Sequence, residues 1–489
     1  MALGALIATG QAPLGWWGLA LVALSGLTFV IARERSVARA VWLGWLAGAG
    51  QFGAAMFWIV DPFMVDPGRD GWMAPFALLF MAFGMALFWA LAAGIGAALG
   101  RGLPSRALGF ALGLAATDLL RTYVFTGFPW ALVGHIWVGT WPAQADIFLG
   151  PVGLSLMTTL AAALPFAVPR GRGILLSALL LGMAGGFGLW RLDQPVPPRP
   201  QPITVRLVQP DAEQALKWRP DMQRVFFDRQ LRYTAAPGKD GRRPDLIVWP
   251  ETSAPFLLNN PGIGLQMIAA AAQGVPVALG IQRVSGRRAY NSLAVLDTRG
   301  DVEDVYDKHH LVPFGEYMPL GDFLGKYFGI TAFAAQQGNG YSPGPGAAVL
   351  ALGRLGHVLP LICYEAVFPQ DIRAAPSRPD WMLQVTNDGW FGNLAGPYQH
   401  LAQARLRAIE EGVPLLRAAN TGVSGVIDAK GRLLKTLPLN SKGYLDVTVP
   451  GSLPAPPYAR WGDGPVLGLL LAGLAAVAIG ARRRGGPAA

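Results

Sequence analysis

The sequence predicts two architectures in one chain: a polytopic α-helical membrane domain of about eight helices, and a layered α/β domain held outside the cytoplasm. Three observations predict this. Hydrophobic residues make up 52% of the 489 and charged ones only 14%, where soluble domains carry roughly 25% charged residues. The shortfall is uneven. Residues 1–191 and 464–481 are mostly apolar, while 200–460 reads as an ordinary soluble stretch. Within that stretch, short β-rich runs alternate with helical ones, the pattern of a layered α/β domain.

Crossing the hydrocarbon core takes ~20 mostly apolar residues. Trp16–Ala32, Ala40–Val60, Met73–Leu99, Pro151–Val168, Ile174–Trp190 and Pro465–Ala481 qualify. Ala2–Leu14 and Leu108–Leu120 are weaker candidates. The first has the length of a signal-peptide core. No cleavage site follows it and the next apolar run begins at once, so it reads as a short first helix.

Lys and Arg in short loops set the orientation. Arg33, Arg35 and Arg39 follow the second helix, Arg101 and Arg106 the fourth, Arg170 and Arg172 the sixth, and Arg482, Arg483 and Arg484 the last. The intervening loops are poor in basic residues: Asp61–Trp72 sets Arg69 against Asp61, Asp66 and Asp70. Every second loop is therefore cytoplasmic. Seven helices fill 1–192, one closes the chain at 464–482, both termini lie in the cytoplasm, and 192–463 lies outside. The net charge of +10 sits largely in these loops, which assigns it to membrane topology and argues against nucleic acid.

Prolines mark the edges of the soluble domain at Asp193–Pro202 and Pro450–Pro457, framing a domain over 203–450. Strands are expected at Ile203–Val208, Leu246–Val248, Val275–Leu279, Ser292–Leu296, His357–Ile362, Trp381–Val385, Val413–Leu416 and Gly425–Ile427. Helices are expected at Asp221–Tyr233, Leu265–Ala272 and Tyr398–Glu411. Strand order is not legible.

Three segments carry chemistry. In Asp245-Leu-Ile-Val-Trp-Pro-Glu251 an apolar strand ends at a proline and presents a carboxylate, at the strand end where α/β sheets gather ligands. The irregular run from Tyr306 to Pro319 carries Lys308 and Glu316. In Leu359-Pro-Leu-Ile-Cys363-Tyr-Glu365 a buried-looking strand ends at the only cysteine. A lone thiol in an exported domain suggests a reactive role, and a strand-to-helix bend should lower its pKa. These residue types suit nucleophilic acyl transfer: a thiolate attacks a carbonyl, a buried carboxylate serves as base, and a lysine stabilises the oxyanion. Each has a blander reading. A lone Cys is usually a small buried hydrophobe, Glu251 could be a salt-bridge partner, and Lys308 could be a solvated loop charge. The combination is what is specific.

Strand–Glu, loop–Lys and strand–Cys, in that order, resemble the nitrilase superfamily of carbon–nitrogen hydrolases. The words VWPET, DKHHLVPFGEYMP, ICYE and the run from Asn387 to Gly392 fit too. The resemblance implies an α-β-β-α sandwich with Glu251, Lys308 and Cys363 as catalytic triad. The flanking helices, the extended word KxHLVPFGEYxP and the Lys217-Trp218 pair resemble the apolipoprotein N-acyltransferase family over nearly the whole chain. That resemblance implies a bacterial inner-membrane enzyme with a periplasmic catalytic domain. It implies ping-pong transfer of an acyl chain from a phospholipid, usually phosphatidylethanolamine, to the α-amino group of a diacylglyceryl-apolipoprotein. Cys363 would carry a thioester, Glu251 would activate thiol and amine, and Lys308 would support the oxyanion with the Tyr364 backbone N–H. Glu316 and Glu365 would support the site, and Trp218 would sit on a mobile loop near the entrance. No metal or soluble cofactor is implied.

The aromatic-rich segment Tyr317–Ala334 is a candidate membrane-facing lip, or an ordinary loop packed on its domain, and Gly338–Gly346 a candidate hinge. Three alternatives remain. A membrane-tethered amidase shares the first half-reaction. A Cys363–His357 pair would sit too far apart along one strand. A scaffold or transport component would call for intramembrane charges, and only Asp118 and Asp146 come near, both by helix ends.

Overall fold

The computed structural model describes residues 1–238, 241–319 and 340–483. The chain forms two compact units. One comprises Met1–Pro195, Leu394–Glu411 and the chain from Ala455 onward; the other comprises Val196–Asn393 and Gly412–Pro454. The second unit is therefore interrupted: the helix Gly396–Glu411, read from sequence as part of one continuous domain, groups with the first unit.

The first unit is helical. Trp17–Arg33, Val37–Ala55, Ala74–Leu99, Leu103–Tyr123, Asp146–Ala167, Arg172–Asp193 and Gly464–Arg483 follow the apolar runs. Small residues let these helices pack closely. A Cβ on Gly48 would lie 2.8 Å from the Cα of Ala86, so Val37–Ala55 and Ala74–Leu99 can meet there only around a glycine.

Among the described residues, four spans are long and apolar enough to cross a membrane: Pro67–Leu99, Trp141–Ala167, Arg172–Asp193 and Gly464–Arg483. A fifth arises if Val37–Ala55 and Phe57–Met64, bent by 47°, count as one. About eight were expected. Trp17–Arg33 is apolar but has only 17 residues. Ala2–Ala8 has 7 residues, which at 1.5 Å each covers about 10 Å of a core ~30 Å thick. Leu103–Tyr123 carries a buried ion pair: Asp118 accepts from Arg121 at 2.9 Å and from Ser155 at 2.8 Å. That pairing gives Asp118 a structural place within the bundle.

The second unit is a sheet-and-helix sandwich. One six-stranded sheet has the order β12-β1-β2-β3-β4-β5 and the other β11-β10-β9-β8-β7-β6. The first contains β1 (Thr204–Gln209), β2 (Leu246–Trp249), β3 (Val277–Ser285), β4 (Arg288–Leu296), β5 (Val302–Asp307) and β12 (Gly443–Thr448). The second contains β6 (Leu350–Ala351), β7 (His357–Ile362), β8 (Trp381–Thr386), β9 (Leu415–Ala419), β10 (Ser424–Ile427) and β11 (Leu433–Leu437). β1-β2-β3 and β7-β8-β9 run parallel. They are buried along nearly their whole length, as parallel strands covered on both faces should be. The helices Pro220–Ala235 and Gly264–Ala272 cover the first sheet, where Phe227, Ile268 and Ala272 pack with Trp249, Leu279 and Leu296. The sheets meet through β1 and β2 against β9, and β4 against β7. The carboxyl ends of β2 and β7 thus converge, and Glu251 lies just past the first and Cys363 just past the second.

Candidate active site

Glu251 follows β2 directly. Its backbone lies against β3, where a Cβ on Gly280 would stand 2.5 Å from the Glu251 Cα; only glycine permits that approach. Thr252 then turns the chain with φ +43, a conformation non-glycine residues adopt at a cost. Both carboxylate oxygens of Glu251 accept hydrogen bonds: Oε1 from Asn291 Nδ2 at 2.7 Å and Oε2 from the Asn387 backbone N–H at 2.8 Å.

Lys308 follows β5 and is 1% exposed. Its Nζ lies 2.7 Å from Glu316 Oε2 and 3.8 Å from Glu251 Oε1. Asn291 bridges the same two carboxylates, donating to Glu316 Oε1 at 3.1 Å. Glu316 also accepts from the Val312 N–H at 2.9 Å, which closes the loop from Lys308 to Glu316 on itself. Burial alone would lower the Lys308 pKa, but Glu316, Glu251 and the neighbouring thiol outweigh it and hold the ammonium charged well above its ordinary range.

Cys363 follows β7 directly and opens the short turn Cys363–Val367. It is buried and has φ +52, a strained backbone of the kind that gathers at reactive sites. Its carbonyl accepts from Gln384 Nε2 at 3.1 Å. Burial pushes the thiol well above its ordinary pKa, Glu251 pushes it further, and Lys308 opposes both. This corrects the expectation of a lowered thiol pKa. The turn after Cys363 has five residues, too short for a substantial dipole, so desolvation wins. The site therefore favours the thiol over the thiolate. Burial also raises Glu251, with Lys308 opposing and Glu316 reinforcing, as expected of a general base in a dry site.

Glu365 is fully buried and has its own set of hydrogen-bond partners. Its Oε1 accepts from Tyr306 OH and the His309 N–H, both at 2.8 Å, and its Oε2 accepts from the Ile362 N–H at 2.7 Å. It staples the end of β7 to the Lys308 loop. Burial would raise its pKa, but the contacts with His309 and the backbone donors hold it below the ordinary carboxylate range. A carboxylate depressed in the fold contributes stability above its unfolded pKa and loses it as pH falls through the folded value. Glu365→Gln should therefore lose about 3 kcal/mol at neutral pH. Thermal unfolding of detergent-solubilised protein should show that gap closing as pH drops below the carboxylate range.

The Tyr364 ring is buried against His310 and Phe368, with centroids at 5.6 and 4.8 Å. Trp218 is half-buried and lines a cavity of about 200 Å³ with Gln223, Phe256, Leu257, Arg283 and Tyr341. His357 is exposed at the far end of β7 beside Asp380, away from Cys363. His309 and His310 engage Glu365 and Asp371. Residues 320–334 of the candidate lip and the first two residues of the candidate hinge, 338–339, lie outside the described residues.

Sequence reasoning missed Asn291, and noted the run that begins at Asn387 without giving Asn387 a role. A polar Asn at the head of the apolar run Ser292–Leu296 was a readable signal. Asn387 acts through its main-chain N–H, which no side-chain pattern announces.

The apolipoprotein N-acyltransferase N-terminal domain matches residues 3–164 and the carbon-nitrogen hydrolase family matches 205–454. An apolipoprotein N-acyltransferase of Sinorhizobium fredii is 36% identical over 480 residues, covering 92% of this chain and 89% of that protein. One from Caulobacter vibrioides is 39% identical over 458 residues, covering 90% and 85%. Among solved structures, a CN-hydrolase superfamily protein from Xanthomonas campestris aligns at 19% identity and TM-score 0.37, over 57% of this chain and 96% of its own.

Proposed function

Since the chain belongs to the apolipoprotein N-acyltransferase family, we propose that it N-acylates lipoproteins at the Glu251–Lys308–Cys363 cluster, with a phospholipid as donor. The observation that carries this reading is the convergence of a base, a fixed ammonium and a strained, protonated thiol from three separate segments.

In the first half-reaction Glu251 takes the Sγ proton and the sulfur attacks the donor's ester carbonyl. The Lys308 ammonium faces the oxyanion. The carbonyl re-forms as the C–O bond breaks, and Glu251 returns its proton to the departing lysophospholipid oxygen. Cys363 then holds the acyl chain as a thioester. In the second, the α-amino group of the diacylglyceryl-cysteine attacks, Glu251 accepts a proton from it, the C–S bond breaks, and the thiol is restored. Glu316 keeps Lys308 in place throughout, and Trp218 lines the approach.

The positive loops support a periplasmic site in a bacterial inner membrane. Arg170 and Arg172 stand at the start of the helix Arg172–Asp193, and Arg482 and Arg483 end the helix Gly464–Arg483. With those ends cytoplasmic, residues 196–454 emerge on the other side, however Ala2–Ala8 is arranged. Eight crossings with both termini inside follow if the first segment reaches across.

The test is intact-mass spectrometry after incubation with phosphatidylethanolamine. An acyl-sized mass gain that hydroxylamine removes is expected, and a diacylglyceryl-cysteine peptide should discharge it as an amide. Discharge to free fatty acid with the peptide present would favour an amidase-type hydrolase. No adduct on folded protein would remove phospholipid as donor.

A further inference from the structure

The cluster holds two carboxylates, Glu251 and Glu316, around one ammonium, Lys308. With Lys308 alone, ionising both leaves a net negative charge in a space where each of the three is at most 6% exposed. A buried site resists that by keeping a proton on one carboxylate. Yet a base must be ionised to act, so a second cation within reach would matter.

Lys217 is that cation. It lies on the loop after β1 and is 6% exposed. Its Nζ donates to Thr252 Oγ1 at 3.0 Å and to the Glu251 carbonyl at 3.3 Å. The Trp218 ring stands 5.3 Å from the same nitrogen. Among the described residues this ammonium has a hydroxyl, a carbonyl and a ring at hand, and burying it costs several kcal/mol, so stability does not account for its place. We propose that Lys217 is a positioning residue for Glu251, supplying the second positive charge that lets both carboxylates ionise around Lys308. This rests on Glu251 serving as base.

The other groups facing the pair do not replace it. Lys308 is already shared by Glu316 and Glu251. Tyr341 and Cys363 carry no positive charge, and Asp388 adds a negative one but is matched by Arg417 at 2.5 Å. Burial lowers the Lys217 pKa to about 8, with Glu251 opposing, so the charge is present at neutral pH and lost just above it.

The test compares Lys217→Met, Lys217→Gln and Lys217→Arg in the full-length protein. Gln keeps a donor for Thr252 and the Glu251 carbonyl, and so separates charge from hydrogen bonding. Two readouts are followed against pH. One is the single-turnover rate of Cys363 acylation. The other is the infrared C=O band of the protonated Glu251 carboxyl, assigned by its loss in Glu251→Gln. The neutral variants should keep that band, and the acid limb of acylation, to a pH higher by about one unit, while Arg behaves as wild type. A purely structural lysine would lower the amplitude and leave the pH unmoved, and that outcome in Lys217→Gln overturns the proposal. The infrared readout needs no acyl donor. If wild type forms no thioester while the neutral Lys217 variants still shift the band, the acyltransfer reading fails and the charge role stands.

Discussion

Cys363→Ala protein will carry no acyl adduct after incubation with phosphatidylethanolamine, and its turnover will fall to background. Cys363 is the only cysteine in the chain, so no second thiol can take over. In other covalent catalysts, removing the nucleophile costs about a million-fold in kcat, and a loss of that order is expected here. Folding should survive, because the side chain is small and its backbone carbonyl keeps the bond from Gln384. Alanine at φ +52 is no more strained than cysteine. Turnover in Cys363→Ala within tenfold of wild type, measured on lipoprotein acceptor, would refute covalent catalysis outright. Cys363→Ser is the sharper comparison. Its hydroxyl is a far weaker acid than the thiol, and Glu251 would have to remove a proton in the same dry site. Any adduct it forms should be a hydroxylamine-resistant ester that accumulates slowly.

How far this site was legible follows from where each element sits. The eight strands expected from sequence are β1 to β4 and β7 to β10, the interior strands of the two sheets. The four unforeseen ones, β5, β6, β11 and β12, are the four edges. Interior strands are buried on both faces and read as apolar runs. Edge strands pair on one side and tolerate charge: Glu303 and Asp304 sit in β5, and Leu433–Leu437 is almost wholly exposed. Glu251 and Cys363 were visible because each caps an interior strand. Lys308 was visible only through its motif, since it follows an edge. The thiol's acidity was misjudged because sequence displays the bend at Cys363 but not the burial around it. In the membrane unit, sequence located the helices: of its six clear spans, four are long and apolar enough among the described residues, Ala40–Val60 qualifies only as a bent pair, and Trp16–Ala32 forms a helix of 17 residues. The Asn291 bridge was hidden for a different reason. It depends on β4 and β5 being neighbours, and a single sequence carries no strand order.

Glu251→Gln should reduce kcat by about 10²- to 10⁴-fold, the range general bases supply, while making the thiol a stronger acid. Both effects come from one change. The amide cannot take the Sγ proton, so attack must wait for thiolate formed without help. At the same time the negative charge that opposes the thiolate is gone, and Lys308 remains fixed by Glu316 at 2.7 Å. Glu251 raises the Cys363 pKa and Lys308 lowers it, so deleting the first leaves the second uncontested. The pH at which Cys363 becomes reactive to a small neutral alkylating agent should fall below that of wild type. The amide also presents an N–H₂ where Glu251 accepts from Asn291 or from the Asn387 main chain, so one of those two bonds is lost. A variant damaged only by that loss would be slow, with an alkylation profile unmoved or shifted upward by residual burial. A slow enzyme with an earlier-titrating thiol is the signature of a missing base. Lys308 gives the opposite signature: Lys308→Met removes a charge that favours the thiolate, so the reactive pH should rise as the rate falls. Opposite displacements in the two variants would assign base and oxyanion roles to Glu251 and Lys308 separately, which loss of activity alone cannot do.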